Sequence, residues 1–174
     1  VKNGDKVTVL DNLSEGKLEN LSDVMDKITF VKGDIRNSSD LEKALDGVDY
    51  VLHQAALRSV PKSMTQPEEY NDVNVTGTLR LLIKAAEMKV KRVVAASSSS
   101  VYGDRVNFPE VETDACDPIS PYAATKLIGE QYMRLFANSY GLETVALRYF
   151  NVFGPKQSLD NQYAVVIPKF ITNI

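Results

Sequence analysis

Two side chains that could move a proton, Tyr122 and Lys126, lie four residues apart in the segment SPYAATK. Ser120 and Pro121 precede them, an order typical of a helix N-cap followed by the first helical position. Residues four apart share one helix face, so Lys126 would stand one turn beyond Tyr122. A phenol has a pKa of about 10 and becomes a useful base when a nearby cation and the positive helix end stabilise the phenolate. The pair indicates proton transfer with a hydroxyl group; a chance pair on a helix surface is the alternative.

Ser98 supplies a third candidate, in the run Ser97–Ser100 that directly follows an apolar segment. At the end of a strand, its side chain would sit across a crevice from Tyr122 and could relay or hold a proton between the phenol and a substrate. A polar loop whose hydroxyls satisfy exposed backbone groups is the alternative interpretation of the run. The predicted catalytic residues are therefore Ser98, Tyr122 and Lys126.

The elements that must position these residues alternate between short apolar runs and segments with helical spacing. The apolar runs have the length and valine content of buried parallel strands. Repeated strand–helix–strand order predicts an α/β fold with a Rossmann-like, doubly wound parallel sheet. The predicted strands are Lys6–Leu10, Ile28–Val31, Tyr50–Leu52, Val93–Ala96 and Thr144–Leu147, and the predicted helices are Ser39–Leu45, Glu68–Met88 and Tyr122–Tyr140.

Polar residues follow each predicted strand, and the carboxyl ends of parallel strands meet at one edge of a sheet, where ligands bind. This layout predicts a cofactor crevice. Asp11 would accept hydrogen bonds from both ribose hydroxyls of an adenosine and repel a 2'-phosphate, which favours NAD over NADP; a turn cap is the alternative. Asp34 would flank the adenine while Ile35 packs on the base, or the two would only form a turn. The strand-end residues are Asp11, Asn12, Asp34, Gln54, Ser97–Ser100, Tyr149 and Asn151.

The composition of the 174-residue chain excludes several classes of protein. With 44% hydrophobic and 25% charged residues, it is typical of a globular domain. A net charge of -3 without a basic stripe argues against nucleic acid as a partner. Cys116 and His53 are the only residues of their types, so we predict neither an internal disulfide nor a metal site. No apolar stretch has the length of a membrane span, and we predict a cytoplasmic protein without a membrane partner.

Seven segments occur in order along the chain: VTVLDNLSEG, GDI, HQAA, NVTGT, SSSSVYGD, SPYAATK and RYFNVFGP. This series resembles the extended short-chain dehydrogenase/reductase family, in particular its nucleotide-sugar epimerases. The resemblance implies Ser98, Tyr122 and Lys126 as catalytic residues, with Asn74 near the lysine. The implied NAD-binding residues are Asp11, Asn12, Ser14, Gly16, Asp34, Ile35, Gln54, Ala55, Ala56, Asn74, Tyr122, Lys126 and Tyr149. The implied substrate-binding residues are Ser59, Ser98, Ser99, Tyr122, Asn151, Val166 and Phe170.

For such epimerases, the resemblance implies that hydride passes from sugar C4 to NAD, that the 4-keto sugar turns over, and that hydride returns to its other face. We therefore expect 4-epimerisation of a UDP-hexose, either UDP-glucose/galactose or the N-acetylated pair. Similar sugar dehydratases carry an Asp-Glu pair directly after the catalytic hydroxyl residue, whereas this chain has Ser99 and Ser100. Dehydration is thus disfavoured.

Two other functions stay open. A UDP-glucuronate 4-epimerase or decarboxylase of the same family would need a cation for the sugar carboxylate. Arg58, where similar epimerases of N-acetylated sugars usually have Gly, is an imperfect candidate. A non-catalytic dinucleotide-binding scaffold is the second, although such proteins often lose the tyrosine or the lysine. The two long predicted helices form a dimer interface in similar proteins, so the resemblance implies a homodimer of the full-length protein; packing on the sheet is the alternative.

The ends of the chain indicate a piece of a longer protein. The turn GxxGxxG that cradles a dinucleotide pyrophosphate does not occur in the sequence and would precede Val1. We therefore expect a fold truncated at both ends, without its first βα unit and without most of a C-terminal substrate domain. Residues 1–155 would form a partial NAD-binding domain, and residues 156–174 would begin a nucleotide-sugar-binding region.

Overall fold

Five parallel strands and a layer of helices make up the protein in a computed structural model, which describes residues 1, 3–106, 108–157 and 170. The strands are β1 (Val7–Asp11), β2 (Ile28–Lys32), β3 (Tyr50–His53), β4 (Arg92–Ser98) and β5 (Glu143–Tyr149). The α-helices are α1 (Ser38–Leu45), α2 (Val60–Thr65), α3 (Pro67–Tyr70), α4 (Gly77–Glu87) and α5 (Pro121–Tyr140). Two 3-10 helices, Leu18–Lys27 and Ser99–Tyr102, and a π-helical turn, Asn71–Thr76, complete the order. No helix in these described ranges is long and apolar enough to cross a membrane.

The strands form two parallel sheets, which confirms the predicted α/β class. One sheet pairs β1 with β2, in the register Val7 opposite Ile28. The other has the order β3-β4-β5, with Val51 opposite Val93 and Val93 opposite Thr144. No ladder joins β1 to β3 among the described strands. In doubly wound sheets of order 3-2-1-4-5-6, a further strand lies between the positions that β1 and β3 occupy here.

The core lies between the strands and the helices α1, α4 and α5. Helix α1 covers β1 and β2, α5 covers β4 and β5, and α4 packs between the two helices. Alternate residues of β4 point into this layer, so Val93 is fully buried and Ala95 is 6% exposed. The opposite face is open at β3, where Leu52 is 73% exposed. The core cluster contains Ile35, Leu41, Leu45, Leu81, Leu82, Ala85, Val90, Val93, Ala95, Met133, Phe136 and Leu142.

The helix that carries the Tyr–Lys pair was predicted almost to the residue. Ser120 is its N-cap, and the Ser120 hydroxyl accepts a hydrogen bond from the Ala123 N–H at 3.1 Å. Pro121 occupies the first turn, where its missing N–H costs nothing. The helix ends at Tyr140 because Gly141 adopts a left-handed conformation with φ +69°. Local signals at both ends therefore set the position of this helix.

The predicted single helix Glu68–Met88 is wrong in detail. It begins at Pro67, and a π-helical turn, Asn71–Thr76, separates α3 from α4. Helix α2 and the 3-10 helix Ser99–Tyr102 were not predicted, because elements of four to six residues are too short to show hydrophobic periodicity. The ten-residue 3-10 helix Leu18–Lys27 was not predicted either. The strand bounds differ from the prediction by one or two residues; β4 continues to Ser98 and β5 to Tyr149.

In the full-length protein, we expect Leu82→Ala to lower the free energy of unfolding by roughly 2–5 kcal/mol, because a completely buried side chain would leave a cavity. The neighbouring Ile83 is 42% exposed, so Ile83→Ala is a matched control that should cost less than about 1 kcal/mol. Urea unfolding followed by circular dichroism measures both. Equal losses in the two variants would contradict the packing of α4.

Candidate functional site

The structure brings Tyr122, Lys126 and Ser98 together where α5 crosses the carboxyl end of β4. Tyr122 lies in the first turn of α5, and the Lys126 Nζ is 5.9 Å from the centre of the Tyr122 ring. The Lys126 ammonium donates a hydrogen bond to the carbonyl oxygen of Ala96 at 2.9 Å. Ser98 is the last residue of β4 and is 9% exposed, with its Oγ accepting a bond from the Ser100 N–H at 3.1 Å. A phenol, a hydroxyl and an ammonium group therefore converge at one strand end.

Burial dominates the electrostatics of this group. It raises the pKa of the Tyr122 phenol above its ordinary value, while the nearby Ser98 hydroxyl and the positive charge of Arg58 act in the opposite direction. Burial also lowers the pKa of Lys126 to about 8. The sequence predicts a phenolate stabilised by Lys126 together with the positive ring of a bound cofactor; in the chain by itself, burial of the phenol raises its pKa instead.

Asn74 joins three elements beside this group from inside the π-helical turn. Its side chain accepts a bond from the Leu57 N–H at 2.8 Å and donates to the Leu57 carbonyl at 2.9 Å. It also donates to the Thr125 hydroxyl at 3.0 Å, and Thr125 donates to the Tyr122 carbonyl at 2.7 Å. The residue predicted to lie near the lysine therefore contacts its helical neighbour, Thr125, and fixes the loop after β3.

A second corner of the site forms at the end of β1. Asp11 closes the strand, and its Oδ1 accepts a bond from the Leu13 N–H at 2.6 Å. Gly16 packs against the same carboxylate, since a Cβ at position 16 would lie 2.9 Å from Asp11 Oδ2 and 3.0 Å from Oδ1. A side chain at position 16 would collide with the Asp11 carboxylate, so this position requires glycine.

Asp34 uses both carboxylate oxygens within the protein. Arg36 donates to Oδ1 from its Nε at 3.0 Å and to Oδ2 at 2.8 Å, and Asn12 donates to Oδ2 at 3.0 Å. The Arg36 guanidinium holds the pKa of the Asp34 carboxyl well below its usual range. Arg36 also forms an ion pair with Asp72 at 2.8 Å. The Asp34 side chain thus fixes Asn12 and Arg36 at this edge of the site.

One residue assigned to the cofactor is placed differently. Ile35 is 8% exposed and belongs to the core, where a Cβ at Gly77 would lie 2.6 Å from its Cδ1. This placement does not support the expectation that the Ile35 side chain packs on an adenine, because the side chain turns inward against Gly77.

The remaining predicted residues have different surroundings. Ser59 caps α2, where its Oγ accepts a bond from the Lys62 N–H at 3.3 Å. Tyr149 ends β5 and is 41% exposed, and Phe170 is a helical residue that is 66% exposed. Val166 lies outside the described residues. The other predicted positions are in exposed or partly buried segments after strands, namely Ser14, Gln54, Ala55, Ala56, Ser99 and Asn151.

Sequence reasoning missed a charged pair behind the site. Glu130 stands one helical turn beyond Lys126, and Arg148 of β5 donates to it from Nε at 3.0 Å and from a terminal nitrogen at 2.8 Å. The Ser97 hydroxyl donates to the same carboxylate. Extending the Tyr–Lys spacing by four residues would have placed Glu130 on the catalytic face. Nothing in the sequence pattern points to Arg148 as its partner.

His53 is a buried neutral side chain. Its Nε2 lies 2.9 Å from the Thr78 hydroxyl, and Thr78 donates to the Asn74 carbonyl at 2.6 Å. Burial, together with the charge of Lys126, lowers the pKa of His53 to about 3. The imidazole therefore carries no charge at neutral pH, and it links β3 to α4.

Parallel strands, a covering helical layer and polar strand ends define a dinucleotide-binding α/β domain of the Rossmann type. A family model described as "NAD dependent epimerase/dehydratase family" matches residues 1–174. The chain therefore belongs to the NAD-dependent epimerase/dehydratase family, as the resemblance of its motifs indicated.

Three known proteins illustrate the similarity. A UDP-glucose 4-epimerase of Halalkalibacterium halodurans is 42% identical over 156 residues, which cover 88% of this chain and 46% of that protein. A solved UDP-N-acetylglucosamine 4-epimerase from Methanobrevibacter ruminantium M1, in complex with UDP-N-acetylmuramic acid, is 49% identical with a TM-score of 0.90, covering 96% of this chain and 54% of that one. A dTDP-glucose 4,6-dehydratase from Streptomyces venezuelae, solved with NAD and TYD bound, is 37% identical with a TM-score of 0.88. The match covers 97% of this chain and 52% of that one. This chain spans about half the length of the relatives it matches.

The lowered pKa of Lys126 predicts a pH-dependent stability. The folded value is about 8 and the unfolded value 10.5, so between them the unfolded chain binds more protons and stability rises with pH. In the full-length protein, the unfolding free energy of wild type relative to Lys126→Met should rise by roughly 2–3 kcal/mol from about pH 7 to about pH 10. Above about pH 10, Tyr122 adds an opposite slope because its folded pKa is raised.

Denaturant unfolding at several pH values measures this difference. Lys91→Met is the control: Asp49 raises the pKa of that exposed lysine, so the stability it contributes is lost only at still higher pH. If both variants kept the wild-type slope of unfolding free energy against pH, Lys126 would not be a buried cation.

Proposed function

We propose that the full-length protein is an NAD-dependent 4-epimerase of a UDP-hexose, acting on UDP-glucose/galactose or on the N-acetylated pair. The observation that carries this proposal is the convergence of Tyr122, Lys126 and Ser98 at one end of β4. A base beside a hydroxyl and a buried cation is what oxidation of a sugar alcohol requires. The family match and the epimerases among similar proteins support the same reaction.

In this proposal the chain's own groups hold and move one proton. Tyr122 takes the proton of the sugar 4-hydroxyl, with Ser98 bonded to the same oxygen, and returns it after the 4-keto sugar has turned over. The raised pKa of Tyr122 keeps the phenol protonated until a cation is added to the site. Lys126 is held by the Ala96 carbonyl one turn away, where its charge favours the phenolate. Bound NAD supplies the hydride acceptor and, as a positive ring, that added charge.

The described residues fit an adenosine dinucleotide at the β1 edge. Asp11 ends β1 with one carboxylate oxygen engaged by the Leu13 N–H, and a carboxylate at this strand end suits a ribose hydroxyl and disfavours a 2'-phosphate. Asn12 and Arg36 surround the neighbouring Asp34 carboxylate. We therefore propose NAD at this edge, with the Asp34 side chain as a support and the Ile35 backbone as the contact.

Epimerisation is favoured over dehydration by the residues beside Ser98. Ser99 and Ser100 begin a 3-10 helix, and the Ser100 N–H is bonded to Ser98 Oγ. Hydroxyls with pKa values far above neutral cannot replace the carboxyl pair that removes water from a sugar. A solved relative is a dehydratase, so the product analysis below separates the two reactions.

The test uses the full-length protein with UDP-glucose and UDP-N-acetylglucosamine in turn. Tyr122→Phe should lower kcat by roughly 10²–10⁴-fold, because it removes the proton acceptor. Tyr140→Phe, on the exposed end of the same helix, is the matched control and should retain wild-type activity. Chromatography of the nucleotide-sugars measures both rates.

Nuclear magnetic resonance of the product made in heavy water gives the reaction type. Epimerisation predicts the C4 epimer with its C4 hydrogen retained and no solvent deuterium in the sugar. A 6-deoxy-4-keto product would overturn the proposal in favour of dehydration. Full activity of Tyr122→Phe would remove the phenol from the mechanism.

Arg58 favours a second candidate function, a 4-epimerase or decarboxylase of UDP-glucuronate. Its guanidinium is exposed in the loop after β3, and its positive charge opposes the rise that burial causes in the pKa of the Tyr122 phenol. Within the described part of the chain, no carboxylate lies within 4.0 Å of Arg58. Arg36, Arg92, Arg105 and Arg148 are paired with carboxylates, while Arg80 and Arg134 bond to a carbonyl and an amide oxygen. A similar epimerase is solved with a nucleotide-sugar named as an acid. Arg58 would then bind the sugar carboxylate.

This second function predicts a substrate-dependent effect of Arg58→Gly. The loss of a charge-assisted hydrogen bond should lower kcat/KM for UDP-glucuronate by about 10–100-fold, with a much smaller loss for UDP-glucose. Lys62→Met removes another exposed cation from α2 and serves as the control. Equal losses on both sugars would reject a carboxylate-binding role for Arg58.

A further inference from the structure

The catalytic helix is attached to three consecutive residues of β4. Tyr122 faces Ser98, Lys126 donates to the Ala96 carbonyl at 2.9 Å, and Glu130 accepts a bond from the Ser97 hydroxyl. The helical residues are four apart, so each turn of α5 meets one residue of the strand end. Two of these contacts are made by Tyr122 and Lys126, which the proposed mechanism uses. The third is made by Glu130, which has no part in that mechanism.

Arg148 completes this third contact from β5. It holds Glu130 with two bonds, at 3.0 and 2.8 Å, and its guanidinium lies 4.8 Å from the centre of the Tyr102 ring. The two side chains are only 19% and 14% exposed, so water screens the pair weakly. Bonds from two donors fix the carboxylate in one rotamer, which a lone surface pair does not achieve.

The pair also removes a competing charge from the site. Glu130 lies on the same face as Lys126, and an unpaired carboxylate there would attract the ammonium away from Ala96 and Tyr122. Arg148 neutralises it. The titratable and charged groups around Lys126 in the described structure are His53 from β3, Arg58 from the following loop, Tyr122 and Glu130 from α5, and Arg148 from β5.

We propose that Glu130, held by Arg148 and Ser97, is a positioning residue that sets the register of α5 along the end of β4 and so places Tyr122 and Lys126 opposite Ser98. The inference deepens the proposed epimerase function and rests on it for its kinetic consequence. Its structural consequence is independent of any substrate.

The experiment compares variants of the full-length protein by hydrogen–deuterium exchange and by steady-state kinetics. Glu130→Ala removes all three bonds, and Glu130→Gln keeps an acceptor for Ser97 without the charge. Glu143→Ala is the matched control, since Glu143 pairs with Arg92 at 2.8 Å across the same two strands at their opposite end, exposed to solvent.

We expect Glu130→Ala to speed exchange in residues 93–102 and 121–134 by roughly tenfold or more, with Glu130→Gln intermediate and Glu143→Ala unchanged. A misplaced helix should lower kcat on the order of 10–100-fold while KM changes little. Arg148→Gln, which leaves the carboxylate unpaired, should shift the pH profile of kcat upward, and Glu130→Gln, which leaves the guanidinium unpaired, should shift it downward.

The outcomes separate this inference from the proposed function. Exchange that rises equally over the whole protein, or only as much as in Glu143→Ala, overturns the positioning role. If the wild-type enzyme is active and Glu130→Ala has the same kcat, the positioning role of Glu130 is overturned as well. If the wild type converts no UDP-sugar but exchange rises in the two segments alone, the proposed function fails and the positioning role stands.

Discussion

A buried ammonium group, that of Lys126, sets the conditions for the rest of the site. Its hydrogen-bond partner among the described residues is one neutral carbonyl, that of Ala96. Burying this cation costs folding free energy, as the lowered pKa of Lys126 shows. The ammonium therefore stays in place only if other contacts hold the helix and the strand together. Asn74 from the π-helical turn, Ser97 from β4 and Arg148 from β5 supply such contacts to α5. The contacts that hold α5 in place therefore also determine the position of the Lys126 ammonium.

Much of this arrangement follows from local signals. Helix α5 is specified by Ser120, Pro121 and Gly141, whose effects act over a few residues and do not depend on the rest of the fold. The strands follow from short valine-rich runs, and the parallel order places their polar ends at one edge. The sequence alone accordingly predicts that Tyr122, Lys126 and Ser98 lie close together.

The features that the sequence pattern does not predict depend on contacts between residues far apart in the chain. Ile35 follows a strand, as polar residues follow the others, yet its side chain lies in the core against Gly77. The bond between Asn74 and Leu57 spans a loop, and the Glu130–Arg148 pair spans a helix and a strand. No periodicity links such positions, because each partner is chosen by the packing of separate elements.

The π-helical turn Asn71–Thr76 has a consequence for how this protein can vary. A π turn contains about one residue more than an α turn, and each residue rotates a helix by about 100°. The turn thus sets the angle between Asn74, which faces α5, and Leu81 and Leu82, which face the core. Losing a single residue there would restore regular bonding but rotate one of the two faces away from its partner. The packing therefore constrains the length of this segment as well as the identity of Asn74.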